Sequence, residues 1–270
     1  MRIDELTTGS DTTHLSTCGD DDGEPLLFLH GTGPGATGSQ AFRPILPALD
    51  GFRCLVPDLV GFGRSSHPED VAIGPGPWFA RRVDAVLALL DVLGLHRVHL
   101  VGHSYGARLA LELALRVPER VGRVVLMAAG GTPVKPNLTT LTDFYRTPDE
   151  AGMRTLVEVQ LSRDVPDIED VVVQRLAVAL RPEVRRSFQA ATGAGDPMPI
   201  YDETVLPGVP HRVLAVHGKD DATITVDASL FLAEHLRRSD LHLFADCGHL
   251  LQFEVPTRLG ALVHDFLTVP

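Results

Sequence analysis

The chain has 270 residues, 44% of them hydrophobic, with 35 acidic side chains against 24 basic ones and a formal net charge of −11. A chain of this length and composition buries a large core without disulfides or a structural metal. Its acidic balance argues against a nucleic-acid partner and against a polybasic membrane contact.

Nearly all the positive charge is arginine, with Lys135 and Lys219 the only lysines; arginine's forked donors suit carboxylates. Cys18, Cys54 and Cys247 are widely spaced, with no CxxC pair and no metal-ligand spacing, so reduced thiols in a cytoplasmic protein are expected. Met1 to Asp22 is polar and acid-rich, which predicts no secretory signal. No window approaches the roughly 18 apolar residues of a membrane-spanning helix.

In chain order, Arg2–Leu6 and Thr12–Cys18 alternate around Thr8-Gly9-Ser10-Asp11, an expected opening hairpin. Pro25–Leu29 is an apolar strand that runs into the glycine-rich turn His30–Gly35. Arg53–Val56 is a second such strand, stopped by Pro57. Trp78–Leu93 carries Phe79, Val83, Val86, Leu87 and Leu90 at helical spacing, with Gly94 just past its end. Val98–Val101 is a strand, Ala107–Val117 a helix closed by Pro118, and Val124–Met127 another strand.

The rhythm breaks between about Thr132 and Pro207, where helical stretches (Leu156–Leu161, Ile168–Leu180, Pro182–Ala191) occur without a clear buried strand. Val213–Val216 restores the pattern, followed by a helix over Ala228–Arg237, a last strand at Leu241–Phe244 and a closing helix over Pro256–Leu267. Strands alternating with helices imply an α/β fold with a mostly parallel central sheet flanked by helices. The interruption predicts a helical cap or lid at 132–207 over a core made of 1–131 and 208–270. It would cover the sheet's carboxyl edge, where ligands bind in open α/β sheets.

Gly102-His103-Ser104-Tyr105-Gly106 fits G-x-S-x-G, with a buried strand entering and a helix leaving, as a nucleophile elbow requires. A serine hydroxyl needs an adjacent base to become a nucleophile. His249 follows the last strand, at the same edge of the sheet as Ser104, and is the candidate. A carboxylate must then orient the imidazole. His217-Gly218-Lys219-Asp220-Asp221 offers two, Asp220 and Asp221. The turn His30–Gly35 supplies backbone N–H groups for an oxyanion: those of Tyr105 and of Gly31 or Thr32 are the expected donors. No G-K-[ST] follows that turn, and its glycine spacing is not G-x-G-x-x-G, so a phosphate loop is disfavoured. His30 is expected to be a structural hydrogen-bonder beneath it.

Together these segments resemble the meta-cleavage product hydrolases, C–C bond hydrolases of the α/β-hydrolase fold, over nearly the whole chain. The landmarks are His30-Gly-Thr-Gly-Pro-Gly-Ala36, Pro57-Asp-Leu-Val-Gly-Phe-Gly-Arg-Ser65, the elbow, His217-Gly-Lys-Asp-Asp221 and Cys247-Gly-His-Leu-Leu-Gln-Phe-Glu254. The resemblance implies a triad of Ser104, Asp221 and His249, with Asp221 preferred to Asp220 by the family's spacing. It implies a vinylogous 1,5-diketo acid substrate, cleaved to a dienoate and a second carboxylic acid in aromatic catabolism. It also implies a cap arginine, Arg175, that holds the substrate carboxylate. His103 stands where the family commonly has a polar amide, and Leu250 where it commonly has tryptophan. Both positions lie near the dienoate site in relatives, so His103 and Leu250, with Gly33 of the glycine-rich turn, are expected at the substrate.

The same triad would serve an ester, thioester or lactone hydrolase, and histidine before the serine is common in general esterases of the superfamily. A non-hydrolytic binding protein or cyclase on this scaffold is the reading from another class. No cofactor and no metal is expected, since triad and oxyanion hole suffice for acyl transfer. The resemblance suggests a homo-oligomer, a dimer or larger. Asp58, Arg64 and Ser65 are read as shaping their loop, Trp78 and Phe79 as helix-start packing, Phe144 and Tyr145 as candidate pocket lining, and Cys247 as structural.

Overall fold

The computed structural model describes residues 1–166 and 168–269. Its first two strands, β1 (Arg2–Thr8) and β2 (Asp11–Gly19), form the expected antiparallel hairpin. The chain continues through β3 (Glu24–Leu29), α1 (Gly38–Phe42), β4 (Phe52–Pro57), α2 (Pro75–Val92), β5 (Val98–His103), α3 (Tyr105–Arg116) and β6 (Val121–Met127). Four helices follow: α4 (Thr139–Asp143), α5 (Glu150–Glu158), α6 (Ile168–Ala179) and α7 (Pro182–Thr192). The chain ends through β7 (Val213–Gly218), α8 (Asp227–His235), β8 (Ser239–Phe244), α9 (Leu251–Glu254) and α10 (Pro256–Thr268).

The eight strands form one sheet in the order β1-β2-β4-β3-β5-β6-β7-β8. From β4 to β8 every pairing is parallel, and β2 joins β4 antiparallel. The strands are continuous apolar runs because helices cover both faces. Leu27, Leu29, Leu100, Leu126 and Val213 point to the side of α2 and α3. Leu26, Phe28, Val101, Val125 and Leu214 point to the side of α1 and α10. The strand order reverses at β3, flanked by β4 and β5, and the carboxyl ends around such a switch point are where a crevice opens.

The helices between β6 and β7 bury their own cluster, in which Leu141, Phe144, Tyr145, Met153, Leu156, Val172 and Phe188 meet Leu250 from the loop after β8. Helix α5 differs from expectation in its bounds, and α1, α4 and α9 lie where no helix was named. Helix α5 runs from Glu150 to Glu158 rather than from Leu156 to Leu161: Asp149 caps it by accepting from Gly152 N–H at 2.7 Å. Leu161 packs on the same cluster from beyond the helix end, so the apolar pattern outlasts the helix. Helix α1 carries no apolar periodicity and starts from the cap Thr37.

Tight contact between α3 and the sheet is visible at Gly106, where a Cβ would lie 1.9 Å from Leu29 O, whereas at Gly51 it would meet nothing within 4 Å. Gly106→Ala should therefore lower the unfolding free energy by about 3 kcal/mol, the upper end of ordinary overpacking. Gly51→Ala should cost only about 1 kcal/mol, for its left-handed backbone. Urea denaturation of the two variants checks the ranking, and equal losses would contradict it.

Candidate active site

The turn from β5 into α3 places Ser104 at φ 54° and ψ −112°, a conformation that a non-glycine residue adopts only under strain. Its backbone is pinned on both sides: Ser104 N–H donates to Met127 O at 2.8 Å, and Gly130 N–H donates to Ser104 O at 3.0 Å. The turn also needs Gly102, where a Cβ would sit 2.5 Å from Gly106 O. Ser104 is 8% exposed, and its hydroxyl makes no hydrogen bond to another described residue.

Asp221 follows β7, and His249 follows β8. His249 Nδ1 donates to Asp221 Oδ2 at 2.7 Å, which leaves Nε2 as the nitrogen able to take a proton. Asp221 is buried, yet its charge is well met. Oδ1 accepts from Thr223 N–H (2.8 Å) and Ile224 N–H (2.9 Å), and His217 Nε2 lies 3.1 Å from Oδ2. Because His217 Nε2 also faces Ile224 O at 2.9 Å, that nitrogen carries the proton, and Nδ1 meets the Ser229 hydroxyl at 2.7 Å. Burial alone would raise the Asp221 carboxyl; the neighbouring His249 and the hydrogen bonds from His217, His249 and Ile224 outweigh it and hold the group below the usual carboxylate range. Asp220 instead faces outward and meets Ser162 Oγ at 3.0 Å.

The N–H groups of Gly31, Thr32 and Tyr105 have no acceptor among the described residues. Gly31 and the elbow are neighbours, since a Cβ on Gly31 would lie 3.3 Å from Ser104 Cβ and 3.0 Å from His103 Nδ1. The Tyr105 side chain turns away and meets Arg82 Nη1 at 3.0 Å. His30 lies beneath the turn, bonded to Gly31 O at 2.8 Å and accepting from Leu59 N–H at 3.0 Å. His103 donates from Nε2 to His249 O at 2.9 Å; burial and the neighbouring His249 push its pKa down to about 3, so it is neutral at pH 7.

Arg175, on α6, is 7% exposed, and among the described residues its guanidinium bonds only to Pro34 O, at 3.3 Å from Nε and 3.2 Å from Nη2. Burial lowers its pKa to about 10. A cleft partly open to solvent joins Arg175 to Gly31, Thr32, His103, His249 and Leu250. The structure thus brings His249, the glycine turn and Arg175 to one cleft, with Asp221 bonded to His249 from behind and Ser104 beside Gly31, neither of the two lining the cleft itself. Gly33 does not line the cleft. It backs Arg175, whose Nη2 would lie 2.8 Å from a Gly33 Cβ. Phe144 and Tyr145 belong to the apolar cluster of the inserted helices rather than to the cleft lining.

Lining residues missed from sequence are Ala36 and Thr37 before α1, Gln40 and Ala41 on it, Gln160 beyond α5, Val171 on α6, and Gln252 and Phe253 on α9. Only Gln252 and Phe253 had a signal, their closeness to His249 in the chain. Asp58 accepts from Gly38 N–H and Arg64 N–H, and Ser65 Oγ donates to Asp58 O, so this trio ties its loop together. Trp78 and Phe79 are buried on α2, and Cys247 is buried beneath the His249 loop. Among the described residues no group of three or more His, Cys, Asp or Glu side chains is placed to hold a metal, and no helix is long and apolar enough to cross a membrane.

Residues 24–256 match the alpha/beta hydrolase fold family. The 2-hydroxymuconate semialdehyde hydrolase of Pseudomonas sp. (strain CF600) is 35% identical over 253 residues, covering 91% of this chain and 87% of that one. The solved 2-hydroxy-6-oxo-6-phenylhexa-2,4-dienoate hydrolase from Rhodococcus sp. strain RHA1 is 33% identical, with a TM-score of 0.91 over 98% of both chains. A mutant of the meta-cleavage product hydrolase from Pseudomonas fluorescens IP01 is 28% identical, with a TM-score of 0.83 over 97% of this chain and 96% of that one. With the serine elbow, the carboxylate–histidine pair and the eight-stranded sheet alike in place, the chain belongs to the α/β-hydrolase fold family, among relatives that are meta-cleavage product hydrolases.

Proposed function

We propose that this chain is a serine-dependent C–C bond hydrolase acting on a vinylogous 1,5-diketo acid, with Ser104 as nucleophile, His249 as base and Asp221 as the group that orients it. The observation that carries the reading is Arg175. A buried guanidinium with no carboxylate partner among the described residues faces the same cleft as His249, where a substrate carboxylate would complete it. The names of the relatives, hydrolases of 2-hydroxymuconate semialdehyde and of 2-hydroxy-6-oxo-6-phenylhexa-2,4-dienoate, fit such a substrate.

In the proposed reaction the dienol substrate first shifts to its keto form, with its carboxylate on Arg175. Ser104 Oγ then adds to the distal ketone while His249 Nε2 takes its proton, and the oxyanion is met by the N–H of Tyr105 and of Gly31 or Thr32. Collapse breaks the C–C bond: its electron pair passes into the conjugated dienolate, which is protonated and leaves, and water releases the second carboxylic acid from Ser104. The acyl-transfer half needs no cofactor or metal. Neutral His103 and Leu250 would border the dienoate. The helices of 132–207 would serve as a cap over the core of 1–131 and 208–270, because Gln160, Val171 and Arg175 supply one wall of the cleft. The reading further includes a small-molecule substrate, a cytoplasmic location and a homo-oligomer, a dimer or larger, as the resemblance suggests.

Turnover of a vinylogous diketo acid and of a short p-nitrophenyl ester, followed side by side, tests the assignment. Ser104→Ala and His249→Ala should each lower diketo-acid turnover about a thousandfold with the fold retained. Undiminished turnover in either would remove the mechanism, and wild-type activity on the ester alone would move the substrate to esters and lactones.

Arg175→Ala should raise KM for the diketo acid about 10- to 100-fold, the worth of a charge-assisted contact, and leave KM for the uncharged ester nearly unchanged. Equal effects on both substrates would sink the carboxylate role.

His103 also makes a stability prediction. Its folded pKa of about 3 lies below the ordinary 6.5, so below pH 6.5 the unfolded chain binds a proton that the folded chain refuses. Stability should fall by about 2 kcal/mol between pH 6.5 and 5 on this account. His103→Asn should show a shallower acid limb in urea melts across that range, and parallel curves would contradict the assignment.

A further inference from the structure

The loop that carries His249 is fastened from outside the sheet, by the residues that follow α5. Gln160 O accepts from His249 N–H at 2.8 Å and from Leu250 N–H at 3.3 Å. The Gln160 side chain folds back and donates to Leu156 O at 2.6 Å, which ties that carbonyl to the helix end. Ser162 N–H donates to Glu254 Oε2 at 2.8 Å, and Glu254 Oε1 accepts from Gly248 N–H at 2.8 Å. Arg163 Nε donates to Asp246 O at 2.7 Å, and its Nη2 reaches the Asp246 and Ala245 carbonyls.

Glu254 is 8% exposed and does not line the cleft. Burial pushes its carboxyl pKa up, against the pull of the Ser162 and Gly248 N–H groups. A buried carboxyl is costly to retain merely as a helix residue, and this one is used at both oxygens. The fit around it is close: a Cβ on Gly248 would lie 2.7 Å from Gln160 O and 3.1 Å from Glu254 Oε1.

We propose that Glu254 is a positioning residue: by bridging Gly248 to Ser162, with Arg163 as a second fastening, it registers the His249 backbone against the segment after α5 and so sets the imidazole relative to Ser104. The inference rests on the reading of Ser104, His249 and Asp221 as a triad. Asp221 controls the ring's direction, but it cannot fix where the backbone carries that ring. Misplacement by about 1 Å is enough to cost on the order of a hundredfold in rate. A carboxylate suits the task because two N–H donors converge on it. A carboxamide would offer one acceptor and turn its own N–H₂ against the other donor.

Labelling of the full chain with a fluorophosphonate reads the triad without reference to the natural substrate, and gives both a rate constant and a final extent. Glu254→Gln should label to the same final extent as the wild type, with a rate constant about tenfold lower, and exposed Arg163→Ala should lower it about threefold. On the diketo acid, kcat should fall in parallel while KM stays within twofold, because Arg175 is held at Pro34 and not by this bridge. A wild-type rate constant in Glu254→Gln overturns the proposal, as does a loss confined to the final extent, which marks folding alone. Should Glu254→Gln fail to fold, Arg163→Ala decides in the same way, an unchanged rate constant overturning the proposal. A wild-type chain that does not label removes the triad reading itself, an outcome distinct from failure of the bridge.

Discussion

The site depends on how closely the start of α3 approaches the end of β3. Gly106 lets the helix settle against Leu29 O and His30 O, at distances no side chain permits. Gly102 gives the same freedom on the strand side of the turn. The chain can then reverse within one residue, and Ser104 takes the left-handed conformation that results. The strain is held by bonds from β6 and the loop beyond it, through Met127 and Gly130. One consequence is that Tyr105 N–H, at a helix start, has no acceptor among the described residues, and neither have Gly31 and Thr32 N–H in the turn that leaves β3. Nucleophile and proposed oxyanion donors therefore come from a single packing event.

The two buried charges of the site are treated in opposite ways. Asp221 meets two backbone N–H groups and two imidazoles, so its desolvation is compensated and it stays ionised. Among the described residues Arg175 bonds to one carbonyl, at long range, and its pKa falls. An ion buried without a partner costs several kcal/mol of stability, and a fold retains one only where something else recovers that cost. The contrast favours a structural, orienting part for the carboxylate and a ligand-facing part for the guanidinium.

Much of this architecture was legible in the sequence because it is written in short-range signals. Buried apolar runs marked β3 to β8, and the strand-to-helix context of Gly102–Gly106 marked the elbow. Asp221 and His249 were found from their places after successive strands, with the family spacing deciding between Asp220 and Asp221. Segments held by long-range contacts were not legible. Helix α5 was placed too late because Leu161 continues the apolar pattern from a turn. Gln160 drew no reading and Glu254 entered only as the end of the Cys247–Glu254 landmark; the Ser162 partner of Glu254 lies 92 residues away, and the Gln160 carbonyl carries no side-chain signature at all.

The turn after β3 shows how a local signature can have a distant cause. Gly33 and Gly35 both adopt positive φ, yet a loop could make that turn with asparagine at one of them. At Gly35 what forbids a side chain is the α6 backbone above. A Cβ on Gly35 would lie 1.9 Å from Arg175 O, and one on Gly33 would lie 2.8 Å from Arg175 Nη2. Pro34, between them, presents the carbonyl on which the guanidinium rests. Gly35 is thus the imprint of the α6 backbone, some 140 residues away, whereas at Gly33 the flexible guanidinium could move aside. A larger residue in place of Gly35 would lift α6, and with it the wall of the cleft that carries the positive charge.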